Sequence, residues 1–123
     1  MKEFDRLYQV VKRLRKECPW DKAQNHTTLK PFMVEELNEA LEAIDQKDDK
    51  KLAEELGDQL LHILMHAAMG AEENKFDIKE IIQTITEKMI RRHPHVFAGG
   101  KAKTQAEVLK KWEEIKRAER RKK

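Results

Sequence analysis

Glu35-Glu36-Leu37-Asn38-Glu39 and, beyond a short polar turn, Glu54-Glu55-Leu56-Gly57-Asp58 are the stretches on which the fold of this chain turns. Both lie inside long patterns of helical period. At about 3.6 residues per turn, Glu36 and Glu39 share a face, and so do Glu55 and Asp58. In the first helix the apolar stripe is Met33, Leu37, Ala40, Leu41 and Ile44, centred on Leu37. Glu36 and Glu39 border it, whereas Glu35 and Glu42 fall nearly opposite. In the second helix Leu52, Leu56 and Ile63 form one side. Beside it Glu55, Asp58 and His62 make a line that continues into Met65 and Met69. From Leu60 to Met69 this helix is apolar almost all round, which predicts burial on several sides.

Two acid pairs on facing helices repel when desolvated, unless a cation lies between them. Donors that are all carboxylate oxygens suit a hard divalent ion, Mg²⁺ first among them, with Mn²⁺ as a substitute. The competing account is a set of solvated helix acids paired with Lys50, Lys51 and their neighbours. Spacing alone leaves the two level.

The rest of the composition narrows the class. The chain has 123 residues, enough for one domain with a real core. Charged residues make up 40% and aromatic residues 6%, a composition that favours helices. Net charge is +3 with acids and bases interleaved, so the chain is no polycation and nucleic acid is not the expected partner. One cysteine, Cys18, excludes a disulfide framework and fits a reducing cytoplasm. No run approaches a membrane span, and the charge-rich start resembles no signal peptide.

Residues 3–17 read as an amphipathic helix through Phe4, Leu7, Val10, Val11 and Leu14, ended by Cys18-Pro19-Trp20-Asp21. An irregular segment to Thr27 is expected next. Thr28 is the expected N-cap of the helix carrying the first acids, with Pro31 in its first turn. Asp48 or Asp49 caps the second long helix, over about residues 50–73. Gly57, within it, signals either close approach of a backbone or ligand, or a tolerated glycine. Asp77 opens a further helix that is expected to bury Ile78, Ile81, Ile82, Ile85 and Met89 and to present Thr84, Lys88, Arg91 and Arg92 on its other face. After His93-Pro94-His95-Val96-Phe97 and Gly99-Gly100, Thr104 and Glu107 form a capping box for a last helix through Val108, Leu109, Trp112 and Ile115. Its basic end, about 117–123, is expected to fray. No internal repeat, linker or second domain is visible, so residues 1–123 are expected to form one domain.

Lys88, Arg91 and Arg92 complement a helix C-terminus, and equally suit phosphate oxygens. Their place beside an acid-rich bundle favours phosphate. His62 and His66, at i, i+4 without a third soft ligand, are expected to be hydrogen-bonded core histidines rather than a zinc pair. The absence of any Glu-x-x-His run counts against a di-iron site. Cys18 has no partner histidine in sequence, so a nucleophilic role is unsupported. Trp20 and Trp112 could stack on a nucleobase, or fill core or dimer contacts.

Taken in order, Cys18-Pro19-Trp20-Asp21, Glu35-Glu36-x-x-Glu39, Glu55-x-x-Asp58, Arg91-Arg92-His93-Pro94-His95-Val96-Phe97 and Trp112-Glu113-Glu114-Ile115-Lys116 closely resemble the MazG family of nucleoside triphosphate pyrophosphohydrolases. The resemblance covers nearly the whole chain. It implies an all-α bundle completed by dimerisation and Mg²⁺ held by Glu36, Glu39, Glu55 and Asp58, with Glu35 either supporting those ligands from behind or helping to orient water. It further implies a triphosphate gripped by Lys88, Arg91 and Arg92, with Trp112 and Trp20 near the nucleotide and Lys51 and Glu54 flanking the site. The implied reaction is hydrolysis of nucleoside triphosphate to monophosphate and pyrophosphate, as nucleotide-pool house-cleaning in the cytoplasm. Two features depart from parts of the family. The Cys-Pro-Trp-Asp and His-Pro-His segments resemble the N-terminal copy of two-copy members, and Phe32 stands where some relatives have lysine near the nucleotide. The competing function, from another class, is a non-catalytic helical dimer that binds nucleotide or a partner protein as a regulator.

Overall fold

Asn25 opens the helix that carries the first acids. Its Oδ1 accepts the Thr28 N–H at 2.9 Å, and Thr28 Oγ1 accepts the Asn25 N–H at 2.8 Å. This reciprocal box starts the helix three residues before the expected Thr28 cap, because an asparagine followed by threonine at N3 satisfies two free N–H groups at once. Pro31 therefore lies in the second turn, where it cannot donate to the Thr27 carbonyl. Such a proline costs about 3 kcal/mol, which the packing of the rest of the helix must offset.

The structure, a computed structural model, describes residues 1–122, and over them the chain is all-α. Its helices are α1 (Lys2–Glu17), α2 (Pro19–Ala23), α3 (His26–Asp45), α4 (Asp49–Glu72), α5 (Ile78–Arg92), α6 (Pro94–Phe97) and α7 (Gln105–Arg121). The segments expected to be irregular around Trp20 and around His95 each form a short helix with proline at its start, where a missing N–H costs nothing. The chain divides into two compact units, Met1–Ile78 and Lys79–Lys123.

In the first unit α3 and α4 are joined by a tight turn. Lys47 adopts φ 55°, and the Asp48 N–H reaches back to the Ala43 carbonyl at 3.1 Å, closing α3 in a Schellman motif. Asp48 then caps α4 by accepting the Lys51 N–H at 3.1 Å, as its sequence position suggests. The same device ends α4. Asn74 takes φ 58°, and the Lys75 N–H bonds the Gly70 carbonyl at 2.9 Å. Glycine at position 70 makes room for the Phe76 ring, from which a Cβ there would stand 2.6 Å and force the ring to move. Gly57 differs: a Cβ there would meet nothing within 4 Å.

The core of this unit is Val11, Leu29, Leu64, Met65, Ala68 and Met69, with Phe4, Leu7, Tyr8, Leu61 and Ile78 packed against it. Leu64 is fully buried, and truncating it to Ala would cost about 2–5 kcal/mol. Arg15 ties the unit together at its edge. Its guanidinium donates twice to Glu72 at 3.0 Å and once to the Gln24 carbonyl at 2.9 Å, so α1, α4 and the end of α2 share one side chain.

The larger residues of the α3 apolar stripe do not all face the core. Ala40 and Ala43 are buried and Leu29 with them, whereas Leu37, Leu41 and Ile44 are each about half exposed. Small residues let α3 and α4 approach closely, and the larger ones are left outward. On α4, Glu55, His62, Met65 and Met69 are buried along the line expected from the sequence. Burial of the segment expected to be apolar all round is complete from Leu64 to Met69 except at His66, while Leu60 and Ile63 remain exposed.

The second unit departs further from its expected packing. Among the described residues of α5 only Arg92 is buried, and Ile82 and Ile85 are nearly half exposed. A segment this short has too little chain to cover an isoleucine row. The α7 cap is close to the expected box: Thr104 accepts the Glu107 N–H at 3.2 Å, while the Glu107 carboxylate takes the Lys103 N–H at 2.7 Å instead of that of Thr104.

Candidate metal centre and phosphate site

Helical spacing places Glu39 on α3 and Glu55 and Asp58 on α4, and the pairing of α3 with α4 brings the three together. One carboxylate oxygen from each lies within 4.8 Å of the others. Glu55 is buried, and one of its oxygens has no hydrogen-bond partner. Burial pushes the Glu55 carboxyl above the usual carboxylate range. A hydrogen bond with Glu39 and the charges of Glu39, Asp58 and Glu54 push the same way. A buried oxygen without a donor, inside a set of like charges, is the arrangement a cation relieves. The donor set fits a hard cation.

Glu36 is placed differently. Its Oε2 lies 2.5 Å from His62 Nε2, a close polar contact off the line of a hydrogen bond. His62 is buried, and its position holds Glu36 beside α4, one helical turn from Glu39 on α3. Sequence reasoning placed His62 in line with Glu55 and Asp58 but gave it no tie to Glu36, because contacts between helices are not set by spacing within one. Glu35 and Glu54 are exposed, and Lys51 is half-buried next to the Asp48 cap. His66 pairs with His26, Nδ1 to Nδ1, at 2.6 Å and approaches Met33 Sδ through Nε2 at 3.1 Å. Burial, then the neighbouring His26 and His62, lower its basicity, as expected for a core histidine. Trp20 is exposed and stands edge-on to Phe32 with ring centroids 5.6 Å apart.

In the second unit Arg91 and Arg92 both reach Glu119 on α7, at 2.5 and 2.9 Å. Hydrogen bonds from Arg92 and Arg91 hold the Glu119 carboxyl down to about 2. The Arg92 guanidinium also covers the Trp112 ring at 4.9 Å, and His93 meets that ring edge-on at 5.3 Å. A cavity of about 440 Å³ is lined by Lys88, Arg91, Arg92, Lys116, Glu119 and Arg120. Nothing in the sequence singled out Glu119, which lies on a helix dense in charges of both signs.

The MazG nucleotide pyrophosphohydrolase domain matches residues 24–97, which hold both acid pairs and the Arg-Arg-His-Pro-His segment. The chain belongs to the MazG family. It is 45% identical over 123 residues to a nucleoside triphosphate pyrophosphohydrolase of Escherichia coli, covering 98% of this chain and 47% of that protein. It is 43% identical over 122 residues to the MazG nucleoside triphosphate pyrophosphohydrolase/pyrophosphatase of Thermotoga maritima, covering 98% of this chain and 46% of the relative. An uncharacterised Bacillus subtilis protein is 48% identical over 120 residues, 96% of this chain and 24% of its own length. The chain thus spans a quarter to a half of the length of these relatives. Among solved structures, a mazG-related protein of Thermotoga maritima superposes with a TM-score of 0.77 at 32% identity, covering 92% of this chain and 98% of the other. The all-α expectation holds.

Proposed function

We propose that the chain hydrolyses nucleoside triphosphates to nucleoside monophosphate and pyrophosphate with a divalent cation, Mg²⁺ or in its place Mn²⁺, at the α3–α4 acids. The convergence of Glu39, Glu55 and Asp58 around a buried, unpartnered carboxylate oxygen carries this reading. Membership of the MazG family and the activity named for its relatives support it. Glu36 joins the three as the fourth ligand, offering the oxygen that His62 does not approach.

A divalent cation held by these acids would supply charge neutralisation at the phosphoryl group and would lower the pKa of a water molecule. The chain's own groups do the rest. Glu35, exposed on the neighbouring face of α3, orients the attacking water. Lys88, Arg91 and Arg92 receive the phosphate oxygens and compensate charge on the departing pyrophosphate. Trp112 and Trp20 contact the nucleoside part, with Lys51 and Glu54 flanking the acids. No covalent nucleophile is required, and Cys18 takes no part.

The matched residues 24–97 run across the boundary between the compact units, which supports residues 1–123 acting as one functional domain. The working form is a homodimer, favoured by the half-exposed row Leu37, Leu41 and Ile44 and by Leu56, Leu60 and Ile63. No helix is long and apolar enough to cross a membrane among the described residues. A cytoplasmic role in clearing the nucleotide pool is consistent with the single cysteine and the substrate class. The test is pyrophosphate release from a panel of nucleoside triphosphates with and without Mg²⁺. Nucleotide binding without any release would replace the enzyme by a regulator.

A further inference from the structure

Arg91 and Arg92 are bridged within the chain by a single carboxylate. Glu119 takes the Arg91 Nε–H at 2.5 Å on one oxygen and the Arg92 Nη2–H at 2.9 Å on the other. A carboxylate bridging two guanidinium groups makes the contacts that two oxygens of one phosphoryl group would make. The surroundings are built for more negative charge than Glu119 supplies. Lys88, Lys116 and Arg120 line the same cavity, giving five cations around one anion. Arg92 is only 7% exposed, and its Nε lacks any partner, a buried donor still unsatisfied with Glu119 in place. Lys116 and Arg120 sit on α7 one turn apart and on either side of Glu119, so their spacing projects them toward the same opening.

We infer that Glu119 is an internal stand-in for a phosphate group, which the polyphosphate of a ligand displaces, and that Lys116 and Arg120 complete the phosphate-binding set from α7. This rests on the proposed phosphate role of Lys88, Arg91 and Arg92. Because its two arginine partners hold the Glu119 carboxyl to about 2, it stays ionised at any working pH. Displacement is therefore a competition between anions, not a protonation. A phosphoryl chain wins it by bringing more oxygens and more charge to five cations at once. Released from the arginines, Glu119 turns to solvent, and the cost of its release sets the affinity for the ligand.

Titration calorimetry of the full chain with inorganic tripolyphosphate, in Mg²⁺-free buffer, tests this. Glu119→Gln keeps the shape and removes the competing charge, so it should bind tripolyphosphate about two- to fivefold more tightly, the worth of a partly exposed ion pair. Glu119→Asp, too short to bridge both arginines, should fall between wild type and Glu119→Gln. Lys116→Ala and Arg120→Ala should each weaken binding by a similar factor, while Lys111→Ala, on the same helix and paired with Glu114, should not. Circular dichroism establishes that each variant is folded. Glu119→Gln or Glu119→Asp binding no more tightly than wild type would overturn the stand-in role. Unchanged binding in both Lys116→Ala and Arg120→Ala would remove α7 from the site. If Lys88→Ala and Arg91→Ala also bind as wild type, or wild type does not bind, the phosphate site itself fails along with this inference. If those two variants weaken binding while the α7 variants do not behave as stated, only the inference fails.

Discussion

At the scale of single residues, the deciding groups are three carboxylates whose charges oppose one another. Glu39→Gln and Asp58→Asn keep nearly the same shape but remove the charge that holds a hard cation. Each should lower Mg²⁺-dependent pyrophosphate release by about 100-fold or more, the scale of losing a main electrostatic contact in a transition state. Each should also melt at or above the wild-type temperature without metal, because Glu55 is freed of a like charge that keeps its carboxyl raised. Parallel activity and melting measurements check both, and full activity in either variant would remove that residue from the site. Lys47 offers a separate test of backbone cost. With φ 55°, it pays for a left-handed conformation that glycine adopts freely. Lys47→Gly should stabilise the α3–α4 turn by about 0.5–1 kcal/mol, read from the urea midpoint at constant slope.

At the scale of elements, the clamp from Arg15 to Glu72 predicts a pH dependence. The hydrogen bond from Arg15 lowers the Glu72 carboxyl below its ordinary value of 4.5, against the opposing effect of burial. A group lowered on folding stabilises the fold above its unfolded pKa and loses that contribution as pH falls through the folded one. Wild type should therefore lose stability over Glu72→Gln as pH drops below 4.5, and the two should converge in stronger acid. Thermal melts of both from neutral pH downward measure this, and parallel curves would show that the clamp contributes nothing. Much at this scale was legible in the sequence. The caps at Asp48 and Thr104 and the buried line Glu55, His62, Met65 and Met69 follow from residue type and period. The start of α3 did not, because Asn25 and Thr28 cap reciprocally and either could have led. Which face of α3 turns inward was not legible, for a different reason. Period identifies an apolar stripe, but not whether it meets the same chain or another surface. Contacts such as His62 with Glu36, or Glu119 with Arg91 and Arg92, join residues far apart in sequence, and no local pattern encodes them.

At the scale of the whole molecule, the exposed stripe is itself the argument. Leu37, Leu41 and Ile44 are spaced four and three residues apart along α3, and Leu56, Leu60 and Ile63 repeat that spacing along α4. Such rows form a seam that one helix pair presents to another. In a homodimer with two-fold symmetry each residue of the seam is used twice. Burying a leucine contributes about 1.5–3 kcal/mol, so a charge at Leu41 should remove at least about 3 kcal/mol from association, a loss of more than about 100-fold in affinity. Leu41→Glu should therefore run as a monomer in light scattering at micromolar concentration, where the proposed homodimer requires wild type to run as a dimer. Its melting temperature should also stop rising with protein concentration, since no dissociation is then coupled to unfolding. Because Leu41 is half exposed and outside the core, the variant should keep its helical content. Its catalysis separates two arrangements. If residues from both subunits build each site, pyrophosphate release should fall with the dimer and return at concentrations that restore it. A monomeric variant with full activity would show that each chain carries a complete site, and that the seam serves assembly alone.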